Sequence, residues 1–257
     1  MRHPFFESSR PLVFAHRGGA GLAPENTLAA FENAVALHAD GVELDVRASS
    51  DGRVVVHHDS TLERTTPLHG PVDRRTASEL AHAQVPELRT VLHVCRNLRI
   101  IVELKVNDAA FGRRVVEELR NASALERVCV GGFGRAALRA VREEEPALAT
   151  SAAREEVRLS LYRSWLRWPV SDPPYDGYQI PEYAGRTRVT SPRFIHDAHR
   201  AGLGVQVWTV DDEADARRLI GWGVDALITD RPDLMVPLVR ESSAAVRSPE
   251  PEANQML

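Results

Sequence analysis

Short apolar runs recur along this chain with helix-spaced stretches between them, and that rhythm limits the fold more than any other feature of the sequence. Runs at 12–15, 41–46, 99–104, 128–131, 149–152, 178–180, 204–210 and 226–229 read as strands. Stretches at 28–35, 86–94, 109–121, 134–144, 155–167, 191–201 and 211–221 read as helices. Strand, helix and strand in succession make the neighbouring strands parallel. Eight such strands in 257 residues are the content of one closed (β/α)8, or TIM, barrel. An open doubly wound sheet is the competing arrangement. It needs a glycine fingerprint, and Gly18-Gly19-Ala20-Gly21 is followed by neither a helix in register nor a ribose-binding acid.

The second strand departs from the apolar rule. Val42-Glu43-Leu44-Asp45-Val46 alternates, so Glu43 and Asp45 share one face. Only Arg47 to Arg53 separate this run from Val54-Val55-Val56-His57-His58-Asp59, too few residues for a parallel return, so the second run forms an antiparallel arm. A turn centred on Asp51-Gly52 sets Asp45 opposite His58 and sends His58, rather than His57, into a site. Glu103 repeats the acidic pattern, sharing a strand face with Ile101 and Lys105. The first run stops at His16-Arg17-Gly18-Gly19, a strand exit of the kind where barrels place their sites. Next, Pro24-Glu25-Asn26-Thr27 opens a helix with Asn26 or Thr27 as its cap. Asp230 ends the last strand, either capping a helix or orienting a site residue. Two carboxylates and an imidazole meeting at one strand end are the start of a metal-assisted acid/base site.

Composition narrows the setting. A net charge of -4 and a pI near 6.2 give no support for a nucleic-acid-binding surface. Cys95 and Cys129 have no metal-ligand spacing and make no disulfide framework, which fits a reducing cytoplasm. The N-terminus lacks a signal-like apolar run and no apolar stretch is long enough to span a bilayer, so neither secretion nor stable membrane insertion is expected. Residues 59–84, rich in charge and turn formers, form a short inserted excursion from a single barrel domain over 1–240. Residues 241–257 mix Ser, Ala, Pro and Glu without periodicity and read as a disordered tail. Nothing in the sequence sets an oligomeric state.

Many dispersed motifs then occur together and in order: His16-Arg17-Gly18, Pro24-Glu25-Asn26-Thr27, Gly41 to Val46, Asp51-Gly52, His58-Asp59, Leu62 to Thr65, Glu103-Leu104-Lys105, Val207 to Val210 and Gly223 to Asp230. Over residues 12–238 the chain resembles the glycerophosphodiester phosphodiesterase family. The resemblance implies a TIM barrel that hydrolyses glycerophosphodiesters to sn-glycerol 3-phosphate and an alcohol, with one divalent cation, magnesium or calcium. It implies Glu43, Asp45 and Glu103 as metal ligands, and His16 and His58 as acid/base residues. It also implies that Arg17 holds the phosphate, Lys105 adds positive charge beside it and Trp208 packs against the glycerol. The chemistry agrees: an all-carboxylate ligand set suits a hard cation, and two imidazoles can take one proton and return another. Which histidine is acid and which base stays open, as does direct water attack against a cyclic phosphate.

Three features depart from the family pattern. Asp211 stands where Asn commonly follows Trp-Thr-Val, Gly132-Phe133 replaces a Ser-Phe pair, and the excursion is short. They bear on the alcohol half of the substrate. Its pocket is expected under the excursion and the loops at 154–175 and 181–190. There, Leu159, Leu161, Tyr162, Trp165, Leu166 and Trp168 form either the buried stripe of an ordinary barrel helix or an apolar entrance, with Trp165 or Trp168 in its wall, for a substrate such as a lysophospholipid. The alternatives to the main reading are therefore a lysophospholipase D or other phosphodiesterase on the same barrel, and a binding barrel without chemistry.

Overall fold

In a computed structural model of the chain, which describes residues 2–168, 170 and 172–247, the strand and helix rhythm closes on itself. The strands in chain order are β1 (Leu12–Ala15), β2 (Gly41–Ala48), β3 (Val54–Val56), β4 (Arg99–Leu104), β5 (Val128–Gly132), β6 (Ala149–Thr150), β7 (Gly177–Pro181), β8 (Tyr183–Ala184), β9 (Thr187–Arg188), β10 (Gly204–Trp208) and β11 (Ala226–Thr229). The helices are α1 (Leu28–Ala36), α2 (Ala77–His82), α3 (Leu88–Val94), α4 (Ala109–Asn121), α5 (Arg135–Glu144), α6 (Arg154–Leu166), α7 (Pro192–Arg200), α8 (Glu213–Trp222) and α9 (Pro232–Arg247). Eight parallel strands run in the order β6-β5-β4-β2-β1-β11-β10-β7, and a parallel bridge from Ser151 to Gly177 joins the two ends. This is the expected (β/α)8 architecture, and the doubly wound alternative falls away.

Two apolar layers hold it. Outward-facing residues such as Val42, Leu44, Val46, Ile100, Val102 and Leu104 pack under the helices. Inside the barrel, Leu12, Phe14, Ile101, Cys129, Ala149, Ala226 and Ile228 meet Phe5 and Phe6, which arrive from a short 3-10 turn at Pro4–Phe6 and plug the floor. The plug explains two glycines: a Cβ at Gly177 would stand 2.6 Å from Phe6 Cε1, and one at Gly204 would run into the same ring. With the floor filled by aromatic rings, polar groups on inward positions collect at the other end, where the strands exit.

Register decides which ones. β2 pairs with β4 so that Glu43 lies beside Ile101 and Asp45 beside Glu103. Side chains two apart share a face, so all three carboxylates point into the barrel mouth.

Several expectations are corrected. The hairpin is not a two-residue turn: Val46 pairs with Val56 and Ala48 with Val54, leaving a five-residue loop. Ser49 explains the difference, since its hydroxyl donates to Asp51 Oδ1 at 2.6 Å and accepts from Arg53 N–H at 2.9 Å, closing a loop centred on Asp51. Asp45 therefore lies opposite His57, whose N–H donates to its carbonyl at 2.9 Å, and not opposite His58. Residues 241–247, expected in a disordered tail, belong to α9, which carries on through Arg247; the rest of that expected tail, residues 248–257, lies outside the described residues. The runs at 149–152 and 204–210 are cut to Ala149–Thr150 and Gly204–Trp208, and the β8–β9 hairpin after β7 was not foreseen. The excursion has a small core of its own, with Leu62, Val72, Ala77, Leu80 and Val85 gathered on Val55 of β3.

Phe6→Ala should remove the floor without touching the carboxylates. A loss of about 3–5 kcal/mol is expected, read as a lower urea midpoint with an unchanged slope; an unchanged midpoint would show that the plug carries no stability.

Candidate active site

The mouth is built from the ends of β1, β2, β4 and β11. After β1 the chain makes a tight turn at His16–Gly18, with Arg17 at φ +50° and Gly18 at φ +86°. Gly18 is needed for its φ and for closeness, since a Cβ there would stand 2.7 Å from Ala30 Cβ on α1. This turn aims the Arg17 N–H at Glu43 Oε2, 3.1 Å away, and sets His16 Nε2 3.8 Å from the same oxygen.

Glu43, Asp45 and Glu103 offer carboxylate oxygens that lie within 4.8 Å of one another. Glu43 and Asp45 are buried and Glu103 is half-buried. Asp45 is surrounded by positive and polar groups: Lys105 Nζ lies at 2.9 Å and Asn26 Nδ2 at 2.8 Å, and Arg17 Nε, at 3.3 Å, forms an ion pair without a hydrogen bond. Burial opposes its charge, but Lys105, Arg17 and Asn26 outweigh it and hold the carboxyl below its ordinary value. Lys105 also contacts Glu103. Glu43 has less support, and burial together with the charges of Asp45 and Glu103 pushes it up to about 8.

Each histidine is gripped by a carboxylate. His16 Nδ1 lies 2.7 Å from Asp230 Oδ1; burial opposes its charge, but the hydrogen bond to Asp230 and the nearness of Glu43 raise it above the ordinary imidazole value. His58 Nδ1 lies 2.7 Å from Asp59 Oδ1. The hydrogen bond from Arg64 holds the Asp59 carboxyl well below the usual range. His58 reaches the mouth because β3 ends at Val56 and the chain bends, so strand alternation stops governing the pair. His57 is buried, with Nε2 3.0 Å from the Thr61 carbonyl, and burial lowers its pKa.

All eight residues singled out in the sequence, His16, Arg17, Glu43, Asp45, His58, Glu103, Lys105 and Trp208, line one small cavity of about 110 Å³. At Glu103, Phe133, Gln179 and Trp208 it adjoins a second cavity of about 540 Å³, walled by Val157, Leu161, Tyr162 and Trp165 of α6. Trp165 is in that wall and Trp168 is not. The α6 residues do not form a buried stripe: of the six apolar residues named, only Leu161 is buried.

Five residues near the mouth, Glu25, Asn26, Thr27, Arg64 and Asp230, take roles that the sequence leaves open or does not show. Thr27 is the helix cap, accepting from Ala30 N–H at 3.3 Å, which frees Asn26 for Asp45. Glu25 accepts from Arg17 at 3.0 Å and from both terminal nitrogens of Arg64 at 2.7 and 2.8 Å. Burial opposes its charge, but these arginines bring the carboxyl down to about 2. Arg64 reaches on to Asp59, completing a chain Arg17–Glu25–Arg64–Asp59–His58. Asp230 serves His16 rather than a helix end. Asp211, the departure noted above, accepts from the Asp230 N–H at 2.7 Å and the Thr229 hydroxyl at 2.9 Å. The second departure, Phe133, lies between cations, with Lys105 Nζ 5.4 Å and the Arg154 guanidinium 4.8 Å from its ring centroid.

The chain resembles known proteins over the same span. The glycerophosphoryl diester phosphodiesterase family matches residues 16–234. A glycerophosphodiester phosphodiesterase of Caldanaerobacter subterraneus is 30% identical over 251 residues, covering 90% of this chain and 99% of the relative. Among solved structures, a glycerophosphodiester phosphodiesterase from Agrobacterium tumefaciens superposes with a TM-score of 0.72 at 28% identity, over 88% of this chain and 99% of that one. A phosphodiesterase from Oleispira antarctica, solved with the product sn-glycerol-3-phosphate, superposes with a TM-score of 0.74 at 26% identity, over 90% and 97%. A binding barrel without chemistry is thereby set aside. On sequence and on fold the chain belongs to the glycerophosphoryl diester phosphodiesterase family and is an enzyme of that class.

Proposed function

We propose that the protein hydrolyses glycerophosphodiesters to sn-glycerol 3-phosphate and an alcohol, using one divalent cation held by Glu43, Asp45 and Glu103 and two histidines, His16 and His58, as proton carriers. The observation that carries this is the meeting of three carboxylates and two carboxylate-gripped imidazoles around one cavity of about 110 Å³. The residues fit a cation: three oxygen donors converge, two of them are buried, and Glu43 is pushed up to about 8 by burial and its acidic neighbours. Oxygen donors without thiolate or imidazole suit magnesium or calcium. A divalent ion there supplies positive charge against the phosphoryl oxygens.

The chain's own groups supply the rest. Arg17 contributes a guanidinium at the cavity wall, and its buried Nε finds no hydrogen-bond partner among the described residues. A phosphate oxygen suits it as an acceptor. Lys105 adds charge beside it, and Trp208 offers an apolar wall for the glycerol. Nδ1 of each imidazole is engaged by a carboxylate, which leaves Nε2 to exchange protons. One imidazole takes a proton from the nucleophile and the other returns one to the departing alkoxide, a division typically worth about 10²–10⁴-fold. The buried free thiols Cys95 and Cys129 accord with work in the cytoplasm. No helix among the described residues is long and apolar enough to cross a membrane.

A second reading, action on lysophospholipids, is favoured by the adjoining cavity of about 540 Å³, within the usual range of ligand pockets. Its wall of Val157, Leu161, Tyr162, Trp165 and Ile180 is apolar and opens onto Glu103 and Trp208. Comparing kcat/KM for lysophosphatidylcholine and glycerophosphocholine separates the readings. The cavity predicts values within about 100-fold of each other, where each tenfold is about 1.4 kcal/mol; a larger preference for the short substrate removes the second reading.

Three further outcomes are expected. His16→Ala and His58→Ala should each lower kcat by at least about 100-fold with the fold intact by circular dichroism; near-normal turnover would take that residue out of its role. Chelation should abolish release of glycerol 3-phosphate and magnesium or calcium should restore it. Glu43→Gln should weaken metal binding and activity together, whereas an unchanged metal titration would contradict the ligand assignment.

A further inference from the structure

Helix α6 buries Leu161 and packs Val157 on the core, yet leaves most of its large apolar side chains outside. A barrel helix ordinarily packs its apolar stripe on the sheet and turns polar residues to water. In α6, Ser160 and Ser164 are turned inward, within 3.0 Å of Tyr175 Oη and 2.7 Å of Asp197 Oδ2. Leu159, Tyr162, Trp165 and Leu166 stand in solvent instead, and Trp168 follows them. Leu166 is 72% exposed and Trp168 69%. Nine large hydrophobic side chains are exposed among the described residues, and five of them fall between Leu159 and Trp168. Single exposed apolar residues are ordinary, but a contiguous group marks an interaction surface.

Charge says what meets it. Helix α6 opens with Glu155 and Glu156, the latter paired with Arg142, and from Val157 to Trp168 every charged residue is an arginine: Arg158, Arg163 and Arg167. None of the three forms an ion pair with a described residue. Across the mouth of the larger cavity the β8–β9 hairpin adds the half-exposed Tyr183 and the exposed Arg186.

We propose that this face docks peripherally on an anionic lipid bilayer. Tryptophan and tyrosine sit well at headgroup depth, and arginines beside them meet anionic headgroups. Each arginine near an anionic surface strengthens the attachment. A second copy of the chain suits the face less well, because a two-fold contact would set these arginines against themselves. The cavity that adjoins the carboxylates shares Tyr162 and Trp165 with this helix, so a docked enzyme presents its mouth to diesters at the bilayer surface. The inference stands on the surface of α6, the residues that follow it and the β8–β9 hairpin, and does not depend on which diester is cleaved.

Vesicle sedimentation tests it, with phosphatidylcholine vesicles and with phosphatidylcholine mixed with phosphatidylglycerol. The protein should partition onto the mixed vesicles and be released by added salt. The double variant Leu166→Ser/Trp168→Ser should bind them at least about tenfold more weakly, and Arg163→Gln/Arg167→Gln on the order of tenfold more weakly. Leu166 and Trp168 are exposed and line neither cavity, so the first variant should keep its thermal midpoint and its turnover of soluble glycerophosphocholine. Absence of binding to either vesicle, or equal binding by parent and double variant, overturns the proposal. So does a dimer in sedimentation velocity that the double variant abolishes, since that gives the face to a second copy.

Discussion

Three carboxylates crowded at a barrel mouth repel one another, and two of them are cut off from water; how that charge is borne governs the surrounding structure. Removing an ionised carboxylate from water costs several kcal/mol even after relaxation. Asp45 meets the cost with three groups from three places: Lys105 after β4, Asn26 before α1 and the guanidinium charge of Arg17 after β1. One side chain thus ties together the loops that supply them. Glu43 lacks an equal share and is the carboxylate that burial and its neighbours push up to about 8. A further positive charge is what the arrangement lacks, which is why a hard cation suits it.

The barrel separates this tension from its own stability. Phe5 and Phe6 close one end with aromatic area, while the opposite end collects the polar groups. The same separation explains how a cluster of like charges persists in a fold this size: the apolar floor and the helix-facing layer hold strand register, and register brings Asp45 beside Glu103.

What could be read from the sequence follows the same line. Strand count and parallel order were legible because period two and period 3.6 leave separate marks on apolar residues. Glu43, Asp45 and Glu103 were legible because an acid on an otherwise buried strand breaks the pattern. The hairpin register was not, because a serine side chain at Ser49 closes a five-residue loop that Asp51-Gly52 disguises as a two-residue turn. His58 nevertheless lines the cavity, brought there by a chain bend and not by the strand pairing that was expected to carry it. Asn26 and Thr27 both suit a helix cap, and only the approach of Asp45 separates their tasks. Arg64 is an arginine in a charged segment, with nothing local to say that it bridges Glu25 and Asp59. The inward serines of α6 were hidden for a related reason: helical spacing identifies an apolar face but not which way it turns.

The chain of ion pairs from Arg17 through Glu25, Arg64 and Asp59 to His58 ties the excursion to the barrel mouth. Protein segments open and close locally with free energies well below that of global unfolding. The excursion rests on a small core of its own, so it is a natural unit for such opening. Withdrawal of Arg64 would release Asp59 and Glu25 at once, and with them the carboxylates that hold the His58 imidazole and the Arg17 guanidinium. The geometry of the mouth thus depends on ion pairs made by a segment that contributes no strand to the barrel.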